Sequence, residues 1–223
     1  PERLGEPISF TVNFAAALSD GEFRVESRPV RTNRSTQHWV VSLSQTDPAG
    51  VESVVLTATA VTAARRTTWS AADAVMPSVP APGSIAASSR PARVAWFQRY
   101  DMRPCSGDIP ADWNGAEADS VSRLWMRDEP PRPLDFCSLT ALADVFYPRV
   151  WRRRALMTPV GIVSMTVYFH AGAAALAATG EGYLLGQARA QSFFNGFFDQ
   201  SAELWNEAGD LLATTHQIVY FKE

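Results

Sequence analysis

The sequence is poor in the features that mark several common protein classes. Its 223 residues include only two cysteines, Cys105 and Cys137. That is too few for a metal-binding pattern; it leaves either one disulfide or two reduced thiols, the commoner state for a cytosolic chain of this size. The three histidines, His38, His170 and His216, have no metal-ligand spacing to one another. No Gly-x-Ser-x-Gly elbow, P-loop or Gly-x-Gly-x-x-Gly occurs, which argues against a serine hydrolase of the usual kind, an NTPase or a dinucleotide enzyme. No metal or cofactor is expected. No apolar run reaches the roughly 18–20 residues of a membrane span, and no signal peptide opens the chain, so no membrane partner and a cytoplasmic location are expected. A net charge of -3 provides no basic surface for nucleic acid. An initiator methionine is also missing, because the chain opens Pro-Glu-Arg; residues upstream of Pro1 are expected.

What is present is a large apolar fraction, 46% against 19% charged, arranged as a repeat. Ser9-Phe10-Thr11-Val12-Asn13-Phe14 aligns with Ser164-Met165-Thr166-Val167-Tyr168-Phe169, with four of six positions identical. Both runs alternate apolar and polar residues, the signature of a strand with one buried face. Each is followed by a Gly-Glu pair (Gly21-Glu22, Gly180-Glu181), two strand-like runs and a turn. The turns are Thr46-Asp47-Pro48-Ala49-Gly50 and Asn206-Glu207-Ala208-Gly209-Asp210. Closing strands follow, Val51 to Val61 and Leu211 to Tyr220. The shared order predicts two copies of one four-strand unit.

Between the copies, the core of the segment 65–93 is rich in Pro, Ser and Ala and reads as a linker. The first copy spans 1–64 and the second 94–223. The second opens with two strand-like stretches, Val94 to Met102 and Ser120 to Arg127. One helix is then predicted from Ser138 to about Trp151. Asp135 or Ser138 caps it, and Leu139, Leu142, Ala143, Phe146 and Val150 form one apolar stripe. Pro148 falls inside this span and ends or kinks the helix just before it. The expected fold class is α+β, a double hotdog in which antiparallel sheets each wrap a long helix. The first copy has no helix in this chain. Without one, or another chain, Phe10, Val12 and Phe14 would be exposed, at a cost of about 1.5–3 kcal/mol per large side chain.

Ser138 to Pro148 (SLTALADVFYP) resembles the second helix of TesB-like acyl-CoA thioesterases, a double-hotdog family. Gly161 to His170 (GIVSMTVYFH) is similar to the family's following strand, and Leu204 to Gln217 to its last hairpin. The stretch Leu124-Trp125-Met126-Arg127 also fits. The resemblance implies hydrolysis of a fatty acyl-CoA to free acid and CoA by an activated water, without metal, and association of two chains as a homodimer. It implies a site made of an Asp on the helix, a Thr or Ser on the next strand and a Gln on the last strand. Asp144 and Gln217 match two of these positions. The third falls on Ile162, which has no hydroxyl. Ser164, two residues on, would share the face of Ile162 in a regular strand and take over the hydroxyl role, with Thr166 further along that face.

Read from pattern alone, these residues have plainer roles. Asp144 lies more than about 90° round a regular helix from the apolar stripe, the place of a solvated residue. Gln217 reads as a polar residue of an edge strand, paired across the repeat with Val61. Ser164 is matched by Ser9, which favours a structural role. Phe193-Phe194 and Phe197-Phe198 flank Asn195-Gly196 and read as a hairpin with core aromatics or, alternatively, as the wall of an acyl-chain pocket. The function that competes with hydrolysis is a hotdog protein that binds acyl-CoA, or a partner, without cleaving it; Ile162 favours it. A hotdog dehydratase would need a catalytic histidine, and none lies on the helix.

Overall fold

The alternating runs form strands close to where their patterns place them. A computed structural model describes residues 2–88 and 95–223. The first copy comprises β1 (Glu6–Phe14), β2 (Arg24–Thr32), β3 (Thr36–Thr46) and β4 (Glu52–Ala63). The second adds β5 (Tyr100–Ser106) and β6 (Ser122–Asp128), helices α1 (Phe136–Leu142) and α2 (Arg149–Arg154), then β7 (Val160–Phe169), α3 (Ala173–Thr179), β8 (Leu184–Arg189), β9 (Phe193–Phe194), β10 (Phe197–Asn206) and β11 (Leu211–Phe221). The last linker residues, 89–93, and the expected strand start at Val94 lie outside the described residues.

The two copies share one sheet rather than forming two separate ones. Its strand order is β2-β3-β4-β1-β7-β11-β10-β8-β6-β5, with β9 hairpinned onto β10. The four strands on each side of the seam mirror one another, β2-β3-β4-β1 against β7-β11-β10-β8, as a duplicated unit requires, and β6 and β5 extend the second side. All the strand pairs are antiparallel. At the seam Ser9 pairs with Tyr168, Thr11 with Thr166 and Asn13 with Ser164. Because Thr11 and Thr166 are repeat equivalents, a pseudo-two-fold axis passes between them, and their hydroxyls lie 3.0 Å apart.

Three local expectations are corrected. The single helix from Ser138 to about Trp151 is two short helices. Asp135 caps α1 by accepting from the Ser138 amide at 2.7 Å. The chain then leaves the helix after Leu142 and restarts at Arg149, with Pro148 in the N-cap position. Proline disfavours helical geometry at Tyr147 before it, and its ring suits a helix start. The full apolar stripe is nevertheless buried, from Leu139 to Val150. Second, the strand expected from Val94 begins only at Tyr100, after a 3-10 turn over Ala95–Arg99. Trp96 and Phe97 bring their rings to 3.9 Å, which neighbours on opposite faces of a strand cannot do. Third, the alanine-rich α3 occupies the interval between Phe169 and Gly180, where the first copy has a loop without a helix.

The segment after the first copy packs against the second. Met76, Val79 and Ile85 lie against Trp125, Tyr183 and Leu185, and the Trp125 indole donates to the Pro80 carbonyl at 2.9 Å. The main core runs through both copies, joining Val12 and Ala58 to Leu139, Leu142, Met165 and Leu204. Val12 is thus buried, and Phe10 and Phe14 are half-buried against that core. The second copy's chain covers much of the face that the sequence left open. At Asn195-Gly196 both residues have positive φ, 53° and 77°; this is the two-residue hairpin turn that such a pair favours.

Gly186 on β8 shows how tightly the helix segment seats on the sheet. A Cβ there would lie 2.5 Å from the Phe146 ring and 2.6 Å from the Met126 methyl. Both neighbours are buried. Gly186→Ala is expected to cost about 1–3 kcal/mol by overpacking. Urea unfolding checks this, and an unchanged midpoint would mean that the Phe146 segment is loosely held.

Candidate active site

A cavity of about 650 Å³ lies where the helix segment meets the seam. The first copy contributes Phe10, Val12, Phe14 and Leu56, and the second contributes Ile162 and Val219 among its apolar walls. Three polar side chains, Asp144, Gln200 and Gln217, interrupt this apolar lining, together with Thr140 and Tyr100 at its edge. Such a largely apolar pocket with a few convergent polar groups is the usual form of a small-molecule site.

Asp144 reaches the cavity from the turn that closes α1, and Thr140 and Ala141, one turn earlier, line the same wall. The Asp144 amide donates to the Ala141 carbonyl at 3.1 Å, a tightened last turn. Asp144 lies off the apolar stripe, as its helical angle predicts, but that flank faces the cavity rather than solvent. Its carboxylate Oδ1 accepts from Gln217 Nε2 at 2.7 Å. Gln217 sits on the inner face of β11 and is buried; its Nε2 also lies 3.5 Å from the Met165 sulfur. Apolar surroundings penalise the ionised form of Asp144 and push its pKa up to about 6, while the Gln217 hydrogen bond pulls the other way. A carboxylate so placed exchanges protons near neutrality and can hold a water molecule at the cavity wall.

Ser164 is not part of this group. Val219 pairs with Ile162 and Ile218 with Ser164, so Val163 is an extra residue in β7, a β-bulge. The bulge breaks the alternation. Ile162 and Met165 line the cavity, while Ser164 lies opposite Asn13 and Ile218, both exposed, on the outer face. The expectation that Ser164 shares the face of Ile162 is thereby corrected. Thr166 also lies outside, on the Thr11 pair. The repeat partner of Gln217 is corrected too. Met165 pairs with Gln217 and its equivalent Phe10 with Ala60, so Ala60, not Val61, occupies the corresponding place. Neither has a polar side chain, so only the second copy presents an amide.

The paired phenylalanines 193, 194, 197 and 198 are absent from the cavity lining. Phe198 is core, stacked with Phe193 at 5.7 Å, and Phe194 and Phe197 are exposed. Among the described residues no group of His, Cys, Asp and Glu could hold a metal ion. His170 and His216 engage Thr214 and Asp199, away from the cavity.

Sequence reasoning missed Gln200 and Arg149. Gln200 occupies an inward position of β10, between buried Phe198 and Ala202, and a polar residue at a core position of an alternating run was the available signal. Arg149 is fully buried behind it, although the sequence placed it in an ordinary helix turn. Burial pushes its pKa down to about 9, still high enough to keep it charged at neutral pH.

Comparisons with known proteins bear on the family and the fold. Residues 1–64 match the acyl-CoA thioesterase N-terminal domain and residues 74–221 the acyl-CoA thioesterase C-terminal domain. A hotdog-fold protein of unknown function from Alicyclobacillus acidocaldarius is 46% identical, with a TM-score of 0.91 over 100% of this chain and 81% of that one. The TesB protein of Mycobacterium avium subspecies paratuberculosis shares the fold at 18% identity and a TM-score of 0.76, covering 98% of this chain and 79% of its own. An acyl-CoA thioesterase II from Mycobacterium marinum does so at 20% and 0.71, covering 97% and 80%. Comparison with curated proteins finds no significant match. With both halves of its sheet matched in order and its cavity at their seam, the chain belongs to the acyl-CoA thioesterase family, with the double hotdog fold.

Proposed function

We propose that this protein hydrolyses a fatty acyl-CoA to the free acid and CoA, with Asp144 and Gln217 holding the attacking water. The observation that carries this reading is the hydrogen bond between the Asp144 carboxylate and Gln217 at the wall of an apolar cavity. Asp144 takes a proton from water, and the hydroxide oxygen bonds to the thioester carbonyl carbon. The resulting tetrahedral adduct expels the sulfur, and the proton held by Asp144 passes to the leaving thiolate. The thioester is already activated, so no protein nucleophile is needed. The site works without a strand hydroxyl, since Ile162 supplies none and Ser164 lies outside.

A second reading, binding of acyl-CoA without cleavage, is favoured by Ile162. The two readings separate on release of CoA, followed with a thiol reagent over a panel of acyl chain lengths. Turnover by the purified protein, abolished in Asp144→Ala, supports hydrolysis. Ligand-dependent melting without any product supports binding alone.

Two free thiols, Cys105 and Cys137, suit a reducing compartment such as the cytoplasm. Among the described residues no helix is long and apolar enough to cross a membrane. By family analogy two chains associate. Light scattering on a sizing column is expected to give a dimer mass, and a strict monomer would contradict it.

The pH dependence follows from Asp144. As a base it works only when ionised, so kcat/KM is expected to fall about tenfold per pH unit below about pH 6 and to level off above it. Stability moves the opposite way. The folded pKa lies above the unfolded one, so the folded state binds more protons between them, and stability is lost as pH rises from about 4 through 6. Asp144→Asn removes that loss, and its melting temperature should gain on the wild type as pH rises. A rate profile flat from pH 5 to 8 would remove Asp144 from the reaction.

A further inference from the structure

Gln200 and Gln217 stand directly opposite each other on β10 and β11. Both are buried and both line the cavity. Opposite charges orient them. Gln217 turns its amide nitrogen to the Asp144 carboxylate. Gln200 turns its amide oxygen to Arg149, whose Nε donates to it at 3.0 Å. A guanidinium has only donors, so the orientation of the Gln200 amide is fixed: oxygen towards the arginine, nitrogen away from it. Among the described residues that nitrogen meets no hydrogen-bond acceptor. It is the free polar end of a side chain on the cavity wall.

Arg149 is itself unusual. Its other hydrogen bonds go to the Tyr147 carbonyl (2.8 Å from Nε), the Ser120 carbonyl (3.0 Å) and the Ser122 hydroxyl (2.6 Å). All are neutral acceptors, and among the described residues no carboxylate pairs with it. A buried cation without a counter-ion is costly. It leaves a positive potential behind Gln200, directed through the amide at the cavity.

We infer that Gln200 donates its Nε2–H to the carbonyl oxygen of the bound acyl group, with Arg149 as the positioning residue that aims and polarises the amide. The inference rests on the hydrolase reading for its substrate but concerns a different atom of it. Asp144 and Gln217 handle the water. Gln200 meets the oxygen on which negative charge develops when the carbon–oxygen bond to that water forms. A donor preorganised in a dry site acts most strongly at that moment. No step beyond this hydrogen bond is assigned to either residue.

The test uses Gln200→Glu and Gln200→Leu. The carboxylate of Gln200→Glu gives Arg149 the counter-ion it lacks, so this variant is expected to fold at least as stably as wild type; an ionised carboxylate, however, has no proton to donate. Both variants should lose about 100-fold in kcat, with KM changed far less. The second readout does not depend on turnover. A long-chain acyl-CoA analogue with a methylene in place of sulfur, 13C-labelled at its carbonyl, is bound to each protein and its carbonyl stretch is recorded by infrared difference spectroscopy. The stretch should lie at lower frequency in the wild type and Asp144→Asn than in either Gln200 variant. Gln200→Glu with wild-type kcat and a wild-type stretch overturns the inference and leaves the hydrolase reading standing. A wild-type protein that neither binds the analogue nor turns over acyl-CoA overturns both.

Discussion

Antiparallel pairing of β1 with β7 closes two strand edges that would otherwise expose rows of unpaired amides and carbonyls. The pairing is isologous, like a two-fold dimer interface, because equivalent residues exchange places across the Thr11–Thr166 pair. Symmetry of this kind duplicates backbone, not chemistry. Across the seam Phe10 faces Val167 and Val12 faces Met165, so the apolar faces of the two copies run on into each other, and the first copy's becomes a wall of the cavity that also holds Asp144, Gln200 and Gln217. Ala60 stands where Gln217 has its equivalent. The first copy thus offers no competing carboxylate–amide pair, and its aromatic and aliphatic side chains make the surroundings of Asp144 apolar. The raised pKa of that carboxylate originates partly in a unit that supplies none of the site's polar groups.

Much of this was legible in the sequence, because strands with one buried face must alternate. The repeat, the closing hairpins, the Asp135 cap and the break before Pro148 were all written in local patterns. Asp144 and Gln217 were singled out by the family resemblance, not by local pattern, and the structure brings the two side chains together. What escaped was register. Val163 is one extra residue in β7, and a one-residue slip turns every later side chain to the other face. Nothing in Ile162-Val163 marks the bulge, so Ser164 was placed on the face of Ile162, although its alternation with Met165 already put it on the polar face. The Val61 assignment failed by the same single-residue margin. Gln200 and Arg149 escaped for another reason. Gln200 did carry a signal, a polar residue among the inward positions of β10, but its meaning depends on Arg149, 51 positions away, which reads as an ordinary helix residue in sequence.

The helix break decides the electrostatics. In an unbroken helix Asp144 and Arg149 would point about 140° apart, at about 100° per residue, and could not both face the sheet. With the chain unwound over 143–148, both turn inward: one to Gln217, the other to Gln200. The two side chains do not meet. An ion pair between them would favour the ionised carboxylate and draw its pKa down, leaving a weaker base. Two facing glutamines instead occupy the strand positions between the charges. Each amide bonds one charge and satisfies its geometry without neutralising it. Asp144 is therefore held near neutrality by burial, while the charge of Arg149 stays unspent behind a donor at the cavity wall. The Val-Phe-Tyr-Pro run after Asp144 shapes the site as well as filling the core, because by ending the helix it puts both charges on one side of the sheet and keeps them apart.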